Sequence, residues 1–100
     1  MALNGKQRRQ LRALGHHLSV VVQVGSDGMT EGVIAAAAQA LKDHELIKVK
    51  IAGEDREERT AMVEQLATGT EAEVAQTLGK TVLLYKKRKK NPKIKLVSGE

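Results

Sequence analysis

One hundred residues, 41% of them hydrophobic, supply one compact core and too little material for a second. The absence of cysteine excludes disulfides, thiolate metal sites and thiol nucleophiles, and Tyr85 as the lone aromatic residue excludes an aromatic platform for splayed bases. The net charge is +5, and no apolar stretch approaches the roughly 20 residues that cross a bilayer, so a soluble, cytoplasmic protein with no membrane partner is expected.

In chain order, Asn4 is placed to cap a first helix that runs to about Leu14 and ends at Gly15. Residues 20–24, Val-Val-Val-Gln-Val, are β-branched apart from Gln23 and too few for a buried helix, which predicts a strand covered on both faces. Gly25 breaks it. Thr30 is the candidate N-cap of a second helix to about His44, with Val33, Ile34, Ala37, Ala38 and Leu41 at helical spacing. Residues 46–51 alternate, with Ile47, Val49 and Ile51 on one face and Leu46, Lys48 and Lys50 on the other, so one sheet face is expected to be partly open.

Asp55 through Glu58 has the spacing of a capping box and starts a third helix striped by Ala61, Met62, Val63 and Leu66, which Gly69 is expected to close. Residues 72–78 and 81–85 read as two strands joined by Gly79-Lys80, whose leading glycine suits a type II′ turn. The order α-β-α-β-α-β-β predicts a single α/β domain with three helices and a mixed four-stranded sheet, the terminal hairpin supplying the antiparallel pair. From Lys86 the sequence is basic, holds the only proline, Pro92, and lacks apolar periodicity until Ile94. A flexible tail is expected there.

The charge is segregated. Lys6, Arg8, Arg9 and Arg12 form a group in a stretch of fifteen residues without an acid, and seven more cations lie between Lys86 and Lys95. Between residues 16 and 85 only six cations face eleven acids, so attraction to a polyanion starts from the ends. A solvated helix face ordinarily mixes signs, and an acid-free one favours nucleic-acid contact. For Lys48 and Lys50, extension of that basic surface and simple solubility of an exposed strand face are equally good readings.

The segment from Val24 to Thr30 sets a G-x-x-G loop, Gly25-Ser26-Asp27-Gly28, between a strand and a helix start. Backbone N–H groups there can meet an anion and the glycines permit close approach of a sugar-phosphate chain, but a plain tight turn needs the same residues, and Asp27 opposes a phosphate unless it turns aside to cap the helix. Catalysis finds little footing: His16 and His17 are adjacent and diverge, and His44 falls near a helix end. The acids Glu54, Asp55, Glu57 and Glu58 sit where a helix N-terminus favours acids anyway, so no metal or other cofactor is expected.

Four segments, KQRRQLR at 6–12, VGSDGMTEGV at 24–33, HELIKVKI at 44–51 and LGKTVLLYK at 78–86, together resemble the bacterial YhbY family, the stand-alone form of the CRM domain (chloroplast RNA splicing and ribosome maturation). The resemblance covers about residues 3–87. It implies a fold similar to the C-terminal domain of bacterial translation initiation factor three, RNA binding without catalysis, and association with rRNA in precursors of the large ribosomal subunit. It places the family's loop on Gly25, Ser26, Asp27 and Gly28 and its basic surface on the first helix and the strand lysines. Plant CRM domains often carry a basic residue in that loop, and this one has none. The expectation is therefore a monomeric RNA-binding domain over residues 1–87 with a basic, flexible tail over 88–100 and no small-molecule substrate. Its candidate contacts are Lys6, Arg8, Arg9, Arg12, Gly25, Ser26, Asp27, Gly28, Lys48, Lys50, Lys86 and Lys87. The alternatives are a protein-interaction module that binds a ribosomal protein or assembly GTPase without touching RNA, and an enzyme acting on RNA through its histidines.

Overall fold

A computed structural model describes residues 3–25 and 28–97. Ser26, Asp27 and the last three residues of the expected tail lie outside them. The elements follow the expected order: α1 (Gly5–Gly15), β1 (Val20–Val24), α2 (Glu31–His44), β2 (Leu46–Ile51), α3 (Arg56–Thr70), β3 (Glu73–Leu78) and β4 (Thr81–Tyr85). The strands form one mixed sheet in the order β1-β2-β4-β3, with β1 parallel to β2 and the other pairs antiparallel. All three helices start at the predicted caps. Asn4 Oδ1 accepts the Gln7 N–H at 2.9 Å while Gln7 Oε1 accepts the Asn4 N–H at 3.1 Å, a reciprocal capping box. Thr30 Oγ1 accepts from Val33 N and Asp55 Oδ1 from Glu58 N. In the hairpin turn Gly79 has φ of 58° and Lys80 is not left-handed, as a type II′ turn requires.

Each sheet face has its own core. Ile47, Val49, Ile51, Val82 and Leu84 face α2 and α3 and pack with Leu41 and Leu66, while Leu46, Leu83, Tyr85 and Ala75 face α1 and pack with Leu3 and Leu11. The alternation of β2 is thereby realised. Gly15 fixes how closely α1 approaches, because a Cβ there would come within 2.5 Å of Leu83 Cδ1.

Two expectations are corrected. The first is that β1 is covered on both faces: it is an edge strand in which only Val22 and Val24 are buried, with Val20 43% and Val21 51% exposed. A run of β-branched residues reports strand propensity, and α1 stops short of covering this one. The second is that Gly69 closes α3. The helix continues to Thr70 and is capped by Glu71 in the left-handed region at φ 58°. Gly69 serves packing, since a Cβ there would meet Ile34 Cδ1 of α2 at 3.0 Å.

The described residues of the segment expected to be a flexible tail form no helix or strand, yet through Val97 the structure sets them against the α1 face of the sheet. Its anchor is Glu45, the residue between α2 and β2, fully buried and held at φ 64°. One carboxylate oxygen accepts the Lys93 and Ile94 N–H groups, both at 2.6 Å, and the other accepts the Arg88 N–H at 2.9 Å. The Glu45 carbonyl accepts the Lys86 N–H, also at 2.9 Å. Asn91, at φ 51° just before Pro92, turns the loop around this carboxylate. Beyond it Ile94 and Leu96 join the second core, and the Gln10 amide binds Lys95 O and Val97 N at 2.8 Å each, as a neighbouring strand would. Tyr85 lies beneath, its hydroxyl bonded to no group among the described residues; burial first, and the Glu45 charge second, push its pKa above its ordinary value.

Candidate nucleic-acid interface

α1 carries its cations against its own stability. The first turn of a helix bears the positive end of the macrodipole, where acids are favourable by about 0.3–1 kcal/mol, but this first turn has no acid and contains Lys6. Lys6, Arg8, Arg9 and Arg12 are all exposed. Arg8 and Arg12, four residues apart, share one flank of the helix, while Gln7 and Gln10 hold the opposite flank against the C-terminal segment.

The sheet extends the cationic flank. Register places Val20, Lys48, Leu83 and Gln76 on one rung across the four strands and Gln23, Lys50, Thr81 and Leu78 on the next. The end of α1 reaches the first of these rungs and leaves the second open: Leu78 is 69% exposed, and Lys50 and Gln23 lie at the surface. Where α1 stops, Arg12, His16, Lys48, Gln76, Leu78 and Thr81 line a cleft of about 480 Å³ floored by Leu83. Neither Arg12 nor Lys48 has an acidic partner among the described residues.

The loop lies at the same end of the sheet as the open rung, since β1 runs to Val24 beside Ile51 and the Ile51 N–H meets Lys80 O of the hairpin turn. Gly28 N donates to Gly25 O at 3.0 Å, closing a tight turn, so that amide is already engaged. At the start of α2 the Val33 amide is taken by Thr30 and Glu31 adds a negative charge, which leaves little of a phosphate seat in the described residues. The two glycines differ. Gly28 has φ 79° and is demanded by the turn, whereas Gly25 is outside the left-handed region and a Cβ on it would meet nothing within 4 Å.

The candidate residues therefore separate into two groups. Arg12, Lys48 and Lys50 gather around the cleft and open rung, with Arg8 on the adjoining flank. Lys86 and Lys87 follow Tyr85, which pairs with Leu46 at the far end of β2, about 13 Å from the Lys50 rung at 3.3 Å per residue. Lys86 is committed to the fold there: its ammonium donates to Thr70 O at 3.0 Å at the end of α3 and lies 3.7 Å from Glu71. Tyr85, at 1% exposure, has no surface to offer a base. The sequence marks His16 only as a catalytic candidate and does not mark Gln76 at all, because their cleft neighbours come from a different element and nothing in local spacing indicates them.

A small α/β domain with one half-open, basic sheet face and three helices is the class that these features define. The chain belongs to the CRS1/YhbY (CRM) domain family, whose model matches residues 3–86. It is 44% identical over 93 residues to a protein of Pseudomonas aeruginosa named a probable RNA-binding protein, covering 93% of this chain and 86% of the relative. It is 45% identical over 84 residues to a Haemophilus influenzae protein named an RNA-binding protein, covering 84% and 85% of the two chains. The solution structure of a hypothetical protein from Staphylococcus aureus superposes with a TM-score of 0.84 at 32% identity, covering 97% of this chain and all 100% of the other. The names of the family and of these relatives point to RNA binding and away from enzymes.

Proposed function

We propose that this protein binds rRNA and acts as an assembly factor on precursors of the large ribosomal subunit, without catalysis. The observation that carries the reading is the continuity of Arg8 and Arg12 on one flank of α1 with Lys48 at the cleft and Lys50 on the open rung beyond it, unbroken by an acid in the cleft lining. With no Phe, Tyr or Trp side chain at the surface, grip comes mainly from phosphate contacts and close backbone approach. The loop contributes approach at Gly25 more than amides. In-cell RNA crosslinking combined with ribosome-gradient sedimentation tests this: crosslinks to large-subunit rRNA and cosedimentation with pre-subunits are expected, and recovery only as free protein without rRNA crosslinks overturns it.

The loop gives a separate test. Gly25→Glu has room for its side chain and an ordinary φ, so stability should change by no more than about 0.5 kcal/mol while RNA affinity drops several-fold. Gly28→Asp should instead cost about 1 kcal/mol or more of stability, because any L-residue is strained at φ 79°. Chemical denaturation and filter binding on the two variants check both arms.

One observation favours the protein-interaction reading: Leu14, Leu18, Val20 and Val21 are exposed together along the unpaired edge of β1. A pull-down partner that survives RNase digestion and is lost in Val21→Lys would support it.

A further inference from the structure

We infer that the cleft at the end of α1 receives one unpaired RNA nucleotide, its phosphate on Arg12 and Lys48 and its base over Leu78 within reach of Gln76. This deepens the RNA-binding reading and rests on it. The cleft, at about 480 Å³, falls within the roughly 300–1,000 Å³ range of small-ligand sites and is larger than a phosphate group requires. Its rim is cationic and its lining contains no acid. Its floor is apolar: Leu78, 69% exposed at the end of β3, presents a surface that a base would cover, and buried Leu83 closes the cleft beneath it.

The polar groups between rim and floor are uncommitted. The side chains of Gln76 and Thr81 make no hydrogen bond to the described protein, and Gln76 offers both an amide donor and a carbonyl acceptor, the complement that a base edge requires. Planar surfaces for stacking are scarce, because the lone aromatic residue, Tyr85, is buried. The imidazole of His16 supplies one at the rim, and His17 meets the His16 ring edge-on at 5.6 Å and 82°. A paired nucleotide has its base edge engaged and cannot enter, so the cleft selects an extruded one.

Two RNA hairpins identical but for a single bulged nucleotide test this, with Gln76→Leu and Leu78→Ser as variants whose positions bear no role in phosphate contact. Wild-type protein should bind the bulged hairpin about 10-fold tighter at fixed salt, as one base stack contributes about 1–3 kcal/mol. Both variants should lose that preference while keeping wild-type affinity for the paired hairpin and an unchanged thermal midpoint. Titration with nucleoside monophosphates should shift the Gln76 side-chain amide and Leu78 methyl resonances where inorganic phosphate does not. Equal affinity for the two hairpins, a preference that persists in both variants, or the same shifts with inorganic phosphate would overturn the nucleotide site while leaving RNA binding standing. Failure of both hairpins to bind at low salt would fell the RNA reading, and this site with it.

Discussion

Glu45→Ala should release the segment from Arg88 to Val97 and lower the unfolding free energy by about 2–4 kcal/mol, as loss of a buried acceptor of several hydrogen bonds does. The carboxylate is the common acceptor of three N–H groups from residues that share no other secondary structure, so its removal leaves Arg88, Lys93 and Ile94 amides no partner while docked. Undocking lets water reach them but uncovers Ile94 and Leu96, and with them the upper side of Tyr85. Backbone geometry separates the carboxylate's contribution from that of the turn. At φ 64° a non-glycine residue is strained by about 1–2 kcal/mol, so Glu45→Gly loses the anchor but relieves the strain and should be more stable than Glu45→Ala by about 1 kcal/mol. Glu45→Gln keeps an acceptor for Lys93 and Ile94 but turns an amide toward the Arg88 N–H, placing it between wild type and alanine. Urea denaturation gives the order, and hydrogen exchange at the Arg88, Lys93, Ile94 and Val97 amides reports release. Persistent protection of these amides in Glu45→Ala would show that Gln7, Gln10 and the apolar contacts hold the segment unaided.

Local chemistry made most of the fold legible in the sequence. Asn4, Thr30 and Asp55 each sit one residue before a helix because their side chains satisfy the amide three residues ahead, and the alternation over 46–51 sorts side chains between two faces whatever packs on them. What escaped depends on distant partners. Glu45 reads as one more surface acid at a helix end until Arg88 and Ile94 arrive, forty-three and forty-nine residues later, to place their amides on it. The tail's composition, dominated by Lys and Arg, conceals that its anchoring uses backbone N–H groups, which every residue but proline possesses. Edge placement of β1 is likewise a matter of strand order, which Val20 and Val21 do not encode by themselves. For the interface, the acid-free start of α1 and the Lys48/Lys50 pair were readable as charge, whereas the cleft exists only because Gly15 lets α1 settle on Leu83 and stop there.

Joint replacement of Arg8, Arg9 and Arg12 by glutamine should weaken RNA binding about 100-fold at 0.1 M salt without weakening the fold. The estimate follows from counterion release. If about six phosphates are neutralised on a single-stranded target, affinity falls with salt at a log-log slope near −4, and removal of three contacts leaves a slope near −2. With the two proteins converging near 1 M salt, that difference in slope is the 100-fold loss one decade lower. Stability should move the other way or not at all. These cations are exposed, and Arg8 close to the first turn opposes the helix dipole, so its loss favours α1 by a few tenths of a kcal/mol. Lys86→Gln provides the opposite pattern from the same kind of substitution: it removes the ammonium that reaches Thr70 O and Glu71 at the end of α3, so the salt slope should be unchanged while stability falls. Salt-dependent filter binding beside thermal melts on the two variants separates cations that face RNA from cations that hold the fold. An unaltered slope in the triple variant would move the RNA away from α1 and leave its acid-free flank as a solvated surface.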